Sequence, residues 1–352
     1  MTMPTVDVAV PCYNYARFLR DAVESVLSQG FADLRVLILD NGSDDGSGDV
    51  ARRLAAEDDR VDLRVFPRNI GPHACYNAGV DWAAGDYFFL LDADDLLTPG
   101  SLERAVAIME QNAGIAFSYS TELFMGLDGD AYALPVIPPG EAAWRIIPGE
   151  EFVRQRCRDP RNVVGAPTVL RRTSMQKQIG HYRASLPFTD DFEMWLRLAT
   201  LGDVAEASTP QGIRRVHRAQ ASEAYREAPA RDFAALMAAF ESFFANEGAA
   251  MHDARRLLYL VKTTIGEEAF WYGRGRHREG DKANAALCIE YGLKLRPLAN
   301  APRLAKWLLS GEVSLAEAAL YLGTLVPGMS EPTAERLKRI TPKPSPTRHP
   351  AE

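Results

Sequence analysis

The sequence lacks the features that mark membrane-spanning, disulfide-rich secreted and basic nucleic-acid-binding proteins. Its four cysteines are far apart and form no Cys-x-x-Cys pair, which argues against a zinc or disulfide framework and fits a reducing compartment. No run of about 18 apolar residues occurs, so no helix is predicted to cross a membrane. The net charge of −7 gives no general attraction to nucleic acid or anionic lipid. Its first residues contain no basic residue and no long apolar core, so we expect a cytoplasmic protein, free or peripheral at the inner face of the membrane.

What is present indicates an α/β protein followed by helices. Apolar runs beginning at Val6, Leu34, Leu63 and Tyr87 alternate with segments of helical spacing. Four strand–helix repeats predict right-handed crossovers and a mainly parallel, Rossmann-like sheet with helices on both faces. Beyond them, residues 163–170 are predicted as a strand and residues 186–208 as a helical stripe. From about residue 229 the pattern is almost wholly helical.

The most informative stretch is Tyr87 to Asp95, where five large apolar residues run into three carboxylates. If the chain stays extended there, Asp92 and Asp94 point the same way and repel each other. Bound Mg²⁺ or Mn²⁺ would relieve that repulsion, since both ions prefer oxygen ligands. The alternative is a solvated acidic turn that caps the next helix. The carboxyl end of a parallel strand is where such sheets bind ligands, which favours the metal site.

Seven separated motifs carry a family resemblance. In chain order they are Pro11-Cys12-Tyr13-Asn14, Leu39-Asp40-Asn41-Gly42-Ser43, Asn69-x-Gly71, Asn77-Ala78-Gly79, Asp92-x-Asp94, Asp190-Asp191 before Trp195-Leu196-Arg197-Leu198, and Arg215-Val216-His217. Together they resemble the inverting, GT-A-fold, nucleotide-sugar glycosyltransferases of glycosyltransferase family 2. The resemblance covers roughly residues 4–226 and leaves the helical third outside it.

The resemblance implies a nucleotide-binding set made of Pro11, Tyr13, Asn14, Asp40, Asn41, Asn69, Asn77 and Asp92. Within it, Asp40 would accept from a pyrimidine N–H, and Asn69 and Asn77 would support the pocket wall. Asp92 would bind ribose or a metal-bound water. Asn41 stands where many relatives carry a second Asp, which leaves uridine and deoxythymidine donors both open.

The resemblance also implies the metal ligands and the base. Asp94 would ligate Mn²⁺ or Mg²⁺ bridging the diphosphate, with His217 contacting the metal or the diphosphate from the other side. Asp191 would be the general base, because it takes the second position of the family's Glu-Asp pair, and Asp190 replaces the Glu. A carboxylate with an unperturbed pKa of about 3.9 is ionised at pH 7 and can accept the acceptor's proton. The structural alternatives are that the acid pair complements a helix dipole and that His217 is a core residue.

These roles define the predicted domains. Residues 1–228 form a GT-A catalytic domain, with a nucleotide-sugar half at about 4–113 and an acceptor half at about 114–228. Residues 229–341 form a helical domain, and the Pro-rich residues 342–352 form a disordered tail. In the helical domain, Arg336, Lys338 and Arg339 belong either to a solvated surface helix, which we favour, or to a surface that docks on a membrane. Self-association through Phe240, Phe243 and Phe244 is a further possibility.

The predicted function is metal-dependent, inverting transfer of a sugar from a UDP-sugar, or alternatively a dTDP-sugar, to a saccharide or lipid-linked saccharide, in surface polysaccharide or glycoconjugate synthesis. One alternative is a non-catalytic scaffold that binds nucleotide-sugar or glycan. Another is a nucleotidyltransferase, which would need a basic, Gly-rich triphosphate loop near the first strand. That segment reads Pro-Cys-Tyr-Asn-Tyr, so this alternative ranks last.

Overall fold

The computed structural model describes residues 4–31, 33–126, 142–186, 188–217, 229–310, 312–314 and 321. These residues form two compact units. The first holds the described residues of Met1–Arg156, Arg161–Arg218 and Ala245–Met251, and the second those of Cys157–Pro160, Ala219–Phe244 and His252–Glu352. The predicted disordered tail lies outside the described residues, as do Arg336, Lys338 and Arg339.

The first unit contains a large mixed sheet and a small one. The strands are β1 (Val6–Cys12), β2 (Leu34–Asp40), β3 (Val61–Val65), β4 (Tyr87–Leu90), β5 (Leu96–Leu97), β6 (Ile115–Ser120), β7 (Leu123–Gly126), β8 (Trp144–Ile147), β9 (Leu170–Arg172), β10 (Asp203–Ala207) and β11 (Gly212–Val216). The large sheet runs in the order β3-β2-β1-β4-β9-β6-β10-β8, and the small sheet in the order β5-β11-β7. Its helices are α1 (Ala16–Leu27), α2 (Ser47–Glu57), α3 (Pro72–Trp82), α4 (Ser101–Gln111), α5 (Gly149–Arg158), α6 (Thr173–Ile179) and α7 (Asp190–Leu198).

The first four strands confirm the predicted parallel, Rossmann-like arrangement. β1 pairs in parallel with both β2 and β4, and β2 pairs in parallel with β3. All seven residues of β1 are buried, as a strand covered on both faces requires. Cys12 lies opposite Asp40 in the β1–β2 register, so the loops that follow these strands start side by side. The loop after β4 begins at the same edge of the sheet, which gathers three of the predicted motifs there.

Two local predictions for the second half of this unit are wrong. Residues 163–170 hold a 3-10 turn at Ala166–Thr168, and the strand β9 starts only at Leu170 and runs antiparallel between β4 and β6. The helical stripe ends at Leu198, and β10 begins at Asp203. A close backbone approach marks that change, because a Cβ on Gly202 would lie 2.3 Å from the carbonyl oxygen of Gly114. The prediction therefore extended the helix too far, into residues that belong to β10 of the large sheet.

The second unit is helical in its described part, as predicted. Its helices are α8 (Pro229–Ala245), α9 (Ala254–Arg278), α10 (Lys282–Leu295) and α11 (Pro297–Leu308). α9 and α10 form a helix-turn-helix, with Gly280 at a φ of 87° in the turn. Phe240 and Phe243 are fully buried and Phe244 is nearly so, and this removes the basis for self-association through these three side chains. Among the helices that the structure describes, none combines the length and apolar character that crossing a bilayer requires.

Candidate active site

The loops after β1 and β2 are joined by hydrogen bonds around Asn14. The backbone N–H of Asn14 donates to Ser43 Oγ at 3.0 Å, and the N–H of Asp44 donates to Asn14 Oδ1 at 3.0 Å. Asn14 has a φ of 59°, a left-handed conformation in which Asn is enriched among non-glycine residues. The buried Asp40 accepts the N–H of Ser43 at 3.1 Å. These bonds give the predicted nucleotide pocket a fixed wall and leave the roles of Asn14 and Asp40 toward a nucleotide as predictions.

Pro11 and Tyr13 lie on the same edge of the sheet. The carbonyl oxygen of Pro11 accepts the N–H of Ala93 at 3.2 Å, which ties the end of β1 to the acidic loop after β4. Tyr13 follows β1 and is 41% exposed, a high value for an aromatic side chain next to buried strands. An exposed ring at this place is available to a flat ligand such as a nucleotide base.

Two amide side chains, Asn41 and Asn69, hold the turn before α3. Asn41 Oδ1 accepts the N–H of Ile70 at 2.9 Å, and its Nδ2 donates to Asn69 Oδ1 at 3.2 Å. Asn69 Oδ1 also accepts the N–H of Gly71 at 2.8 Å. An ionised Asp at position 41 could not donate a hydrogen bond to Asn69 Oδ1, as the Asn41 amide does. This hydrogen bond gives a structural reason for Asn41, where many members of the family carry Asp.

The predicted wall residue Asn77 bonds both backbone groups of one residue. Its Oδ1 accepts the N–H of Tyr182 at 2.8 Å, and its Nδ2 donates to the carbonyl oxygen of Tyr182 at 3.1 Å. The side chain thus fastens α3 to the segment that leads toward α7. Both ends of the amide are used on the backbone, which is compatible with the predicted supporting role, and that role toward a nucleotide stays a prediction.

Three carboxylates cluster directly after β4. One oxygen each from Asp92, Asp94 and Asp95 lie within 4.8 Å of one another. The extended conformation expected through Asp94 is wrong, because the chain turns and the N–H of Asp95 donates to the carbonyl oxygen of Asp92 at 3.0 Å. The turn still brings the acids together, since Asp95 is drawn toward β11 by the N–H of Arg215 at 3.0 Å.

His217 brings a ring nitrogen to this acidic cluster. Its Nε2 lies 3.0 Å from Asp94 Oδ2, and its ring packs edge-on against Tyr15 and tilted against Phe18. A hexacoordinate cation with bonds of about 2.1 Å holds adjacent ligand atoms about 3.0 Å apart. The pair therefore has the separation that two ligands of one Mn²⁺ or Mg²⁺ ion need, and the residues fit the predicted group.

Burial and charge repulsion together shift the pKa values of this cluster. Burial, followed by the neighbouring Asp94 carboxylate, raises the pKa of Asp92 to about 7. The same causes raise the pKa of Asp95 well above its ordinary value, while the Arg214 guanidinium acts in the opposite direction on both. Without a cation, the cluster binds protons near neutral pH. A divalent cation would supply the missing positive charge.

The acid pair opens α7, and its two members have different surroundings. Asp191 Oδ2 accepts from Asn162 Nδ2 at 3.1 Å, and Asp191 Oδ1 accepts the N–H of Phe192 at 2.6 Å. Burial, followed by the Asp190 charge, raises the pKa of Asp191 to about 7. Asp190 Oδ2 instead lies 3.4 Å from His73 Nε2. The unperturbed pKa assumed from the sequence is therefore corrected upward, to where a general base works best near neutral pH.

Sequence reasoning missed four residues that act on the predicted ones. Asn162 donates a hydrogen bond to Asp191, His73 faces Asp190, and Tyr76 and Arg214 each act to lower the pKa of Asp92. His73 and Tyr76 lie between two recognised motifs, Asn69-x-Gly71 and Asn77-Ala78-Gly79. Arg214 directly precedes Arg215-Val216-His217. Their positions beside recognised motifs could have pointed to His73, Tyr76 and Arg214. Asn162 lies near no such motif, so the sequence offered no signal for it.

Solved structures with the same architecture identify the fold. The chain matches TarS 1-349 of S. aureus in complex with UDP-GlcNAc at a TM-score of 0.61 and 14% identity, covering 91% of this chain and 90% of that chain. It matches a mannosyltransferase from Pyrobaculum calidifontis in complex with GDP-Man and Mn²⁺ at a TM-score of 0.56 and 16% identity, covering 97% of this chain and 85% of that one. The fold and the sheet-edge site define a GT-A-type domain.

The sequence comparisons confirm the predicted resemblance. Residues 7–177, just under half of the chain, match the family described as Glycosyl transferase family 2. An uncharacterised glycosyltransferase of Haemophilus influenzae is 32% identical over 134 residues, which are 38% of this chain and 53% of that protein. The chondroitin synthase of Pasteurella multocida is 33% identical over 131 residues, 37% of this chain and 14% of that protein. The chain therefore spans about half the length of the first relative and a small part of the second.

Proposed function

We propose that this chain transfers a sugar, with inversion, from a nucleotide-diphosphate donor to a saccharide or lipid-linked saccharide in a metal-dependent reaction. The observation that carries the proposal is the pairing of two separate acid sites. Asp94 and His217 lie 3.0 Å apart at the end of β4, and Asp191 is held by Asn162 at the start of α7. A metal cluster and a separate base are the two parts that direct displacement at a sugar carbon needs.

The donor would lie across the loops after β1, β2 and β4. Asp40 would accept from a base N–H, the Tyr13 ring would lie against the base, and Asp92 would face the ribose. A UDP-sugar is our first choice and a dTDP-sugar our second. The TarS structure with UDP-GlcNAc and the mannosyltransferase structure with GDP-Man support a nucleotide-sugar donor of this general kind.

Asp94 and His217 would hold Mn²⁺ or Mg²⁺, with Asp92 nearby through a water. When bound, such a cation neutralises the negative charge that develops on a leaving diphosphate. The protein's own contribution is to hold the ligands in place. The Tyr15 and Phe18 rings hold the His217 imidazole, and the N–H of Ala93, between the two acids, bonds the end of β1.

Asp191 would act as the general base. The acceptor hydroxyl loses its proton to a carboxylate oxygen of Asp191 while its oxygen forms a bond to the anomeric carbon. The bond from that carbon to the diphosphate oxygen breaks, and its electron pair leaves with the nucleoside diphosphate. One displacement by one base inverts the sugar carbon. We further propose residues 1–228 as the catalytic domain and residues 229–341 as a helical accessory domain.

Calorimetry with UDP tests the donor and metal parts together. We expect wild-type protein to bind UDP with Mn²⁺ and to bind it much more weakly in EDTA. Asp94→Asn should lose most of the Mn²⁺ effect. Asp62→Asn, which removes an exposed carboxylate from the edge strand β3, should retain it. Binding of UDP that is the same in Mn²⁺ and in EDTA would contradict metal dependence.

A donor-hydrolysis assay separates the enzyme from a non-catalytic scaffold. A scaffold would bind UDP and release no sugar from UDP-sugars. A glycosyltransferase of this kind releases sugar slowly to water and faster to an acceptor. Binding without any turnover across a panel of UDP-sugars and dTDP-sugars, in the presence of saccharide acceptors, would favour the scaffold.

A further inference from the structure

The small sheet has one face that the mechanism above does not use. In β11, Ile213 and Arg215 are buried, so strand alternation turns Arg214 to the opposite face. Phe124 of β7 is the register partner of Arg214, and paired residues of neighbouring strands point to the same side. Phe124 is 62% exposed and the Arg214 side chain 35% exposed. This face therefore presents an aromatic ring beside a guanidinium.

Arg214 forms an ion pair with a buried carboxylate. Its Nε lies 3.2 Å from Glu122 Oε2, and the Glu122 side chain is only 13% exposed. Gly165 packs on the Glu122 carboxylate so closely that a Cβ there would lie 3.0 Å from Oε2. Burial raises the pKa of Glu122, and Arg214 acts in the opposite direction. This ion pair through Nε holds the guanidinium beside a buried carboxylate, and the two Nη groups are the atoms that a ligand would contact.

Arg214 adjoins the acidic cluster through its own strand. The next residue, Arg215, donates its N–H to Asp95 Oδ1 at 3.0 Å, and His217 Nε2 lies 3.0 Å from Asp94 Oδ2. In agreement with this placement, the charge of Arg214 acts to lower the pKa values of Asp92, Asp95 and Asp191. By strand alternation, His217 belongs to the buried face of Ile213 and Arg215, and Arg214 belongs to the opposite face. A group bound by Arg214 would therefore reach the acids from the face opposite to His217, where it would not displace that side chain.

We propose that Phe124 and Arg214 form an acceptor subsite for a sugar residue that carries an anionic group, a carboxylate or a phosphate. This inference rests on the proposed function, because it assigns the acceptor of that same site. The sugar ring would lie on Phe124, and the anion would receive paired hydrogen bonds from the Nη groups of Arg214.

The charge of the site explains why a guanidinium is needed. The carboxylates of Asp92, Asp94, Asp95, Asp190 and Asp191 would repel an anionic acceptor. The Arg214 fork matches the two oxygens of a carboxylate or phosphate, whereas a neutral sugar would need only weaker hydroxyl contacts. Stacking on the Phe124 ring would supply affinity for the apolar face of a sugar, whether or not the sugar carries a charge.

Saturation-transfer and titration NMR with three small probes tests the subsite. Methyl β-D-glucuronide carries a carboxylate, glucose 6-phosphate carries a phosphate, and methyl β-D-glucoside carries neither. All are measured on the full chain with UDP and Mn²⁺. We expect at least one anionic probe to bind about tenfold more tightly than the glucoside, and the better of the two identifies the anion.

Variants tie the preference to these side chains. Arg214→Gln should reduce the preference to near unity, and Arg214→Lys should keep part of it because it keeps the charge and loses the fork. Phe124→Leu should weaken all three probes together. Arg145→Gln is the matched control, since it removes an arginine from an exposed ion pair with Glu206 on the β8–β10 edge and should keep the preference. Unchanged thermal midpoints would show that the variants fold.

The outcomes separate this inference from the function on which it rests. Equal binding of the three probes, no binding of any, or a preference that survives Arg214→Gln overturns the anionic subsite. UDP and Mn²⁺ binding by calorimetry on the same samples reports on the donor half alone. Normal UDP binding with no anionic preference leaves the proposed function standing and removes only the acceptor assignment.

Discussion

His73 Nε2 lies 3.4 Å from Asp190 Oδ2, and this contact joins the start of α3 to the start of α7. The two side chains are 15% and 11% exposed, so the pair is largely shielded from water. α3 comes from the predicted nucleotide-sugar half and α7 from the predicted acceptor half. Contact with Asp190 raises the pKa of His73, so the imidazolium persists to higher pH than in a free histidine.

We predict that His73→Gln destabilises the protein only where the histidine is charged. A raised pKa means that the stabilisation is fully present below the unfolded pKa and is lost as pH rises through the folded value. Chemical denaturation should show a loss of about 1 kcal/mol near pH 5.5 and almost none near pH 9. His181→Gln, which breaks an exposed pair with Asp81, is the matched control and should change little at either pH. A loss of equal size at both values would mean that packing, not charge, explains the effect.

Replacing the proposed base should remove transfer and leave donor binding. Asp191→Asn should lower kcat by about 10²- to 10⁴-fold, because a carboxamide cannot accept the acceptor's proton. Asp190→Asn should cost less. Steady-state rates with UDP-sugar and acceptor, alongside UDP calorimetry, check both. Near-normal turnover in Asp191→Asn would remove it from the role of base.

The dependence of kcat/KM on pH should reflect the raised pKa of Asp191. Asp191 accepts a proton only when ionised, so kcat/KM should fall as pH drops below about 7, where its pKa lies. Asp190→Asn removes a like charge that raises this pKa, so the acidic limb should move to lower pH. A limb near pH 4 in the wild type would show that Asp191 is unperturbed or is not the base.

Metal-free protein should lose stability as pH rises toward neutrality. Burial and Asp94 raise the pKa of Asp92 from 3.8 to about 7, so the folded state favours its protonated form. The stabilisation is complete below the unfolded pKa and disappears as pH passes about 7, by an amount of order 1 to 4 kcal/mol. Thermal unfolding in EDTA should show this fall, and Mn²⁺ should oppose it. Asp92→Asn should show a flatter pH dependence; a slope equal to that of the wild type would contradict the assignment.

Asn77→Ala should act mainly on stability. It removes two hydrogen bonds to Tyr182 and leaves backbone groups to find other partners, which costs about 1 to 3 kcal/mol. Denaturant unfolding measures the loss, and UDP calorimetry on the same variant asks whether the side chain also binds nucleotide. A large loss of UDP affinity with normal stability would favour direct contact with the nucleotide.

Much of the first half of the fold was predictable because its signals are local. Buried parallel strands are continuous apolar runs, so Leu34–Asp40 could be read from the sequence almost to the residue. Short strands that contain few large apolar residues carry no such signal. Leu170–Arg172 contains two arginines, and its place between β4 and β6 depends on tertiary pairing. Asp203–Ala207 was absorbed into a helical stripe because its small apolar residues fit either periodicity.

For the candidate site, residue types were predictable and their surroundings were not. The clustering of Asp92 with Asp94 and the approach of His217 follow from motifs at the ends of strands. Asn162 lies 29 residues before Asp191 in the chain, and the hydrogen bond between them exists only through folding. A raised pKa depends on burial and neighbouring charge, which a sequence does not contain. The sequence did not single out Arg214, because its pairing with the exposed Phe124 depends on the register between β11 and β7.

The left-handed Asn14 and its bonds to Ser43 and Asp44 have a thermodynamic consequence for donor capture. A loop already fixed in its binding conformation loses little conformational entropy when a nucleotide arrives, so more of the contact energy is left as affinity. If these loops receive the nucleotide as we propose, they are already rigid before it binds. Selectivity would then come from rejecting bases that do not match the shape of the loops, because adapting to a second base would break hydrogen bonds that the folded chain has already made.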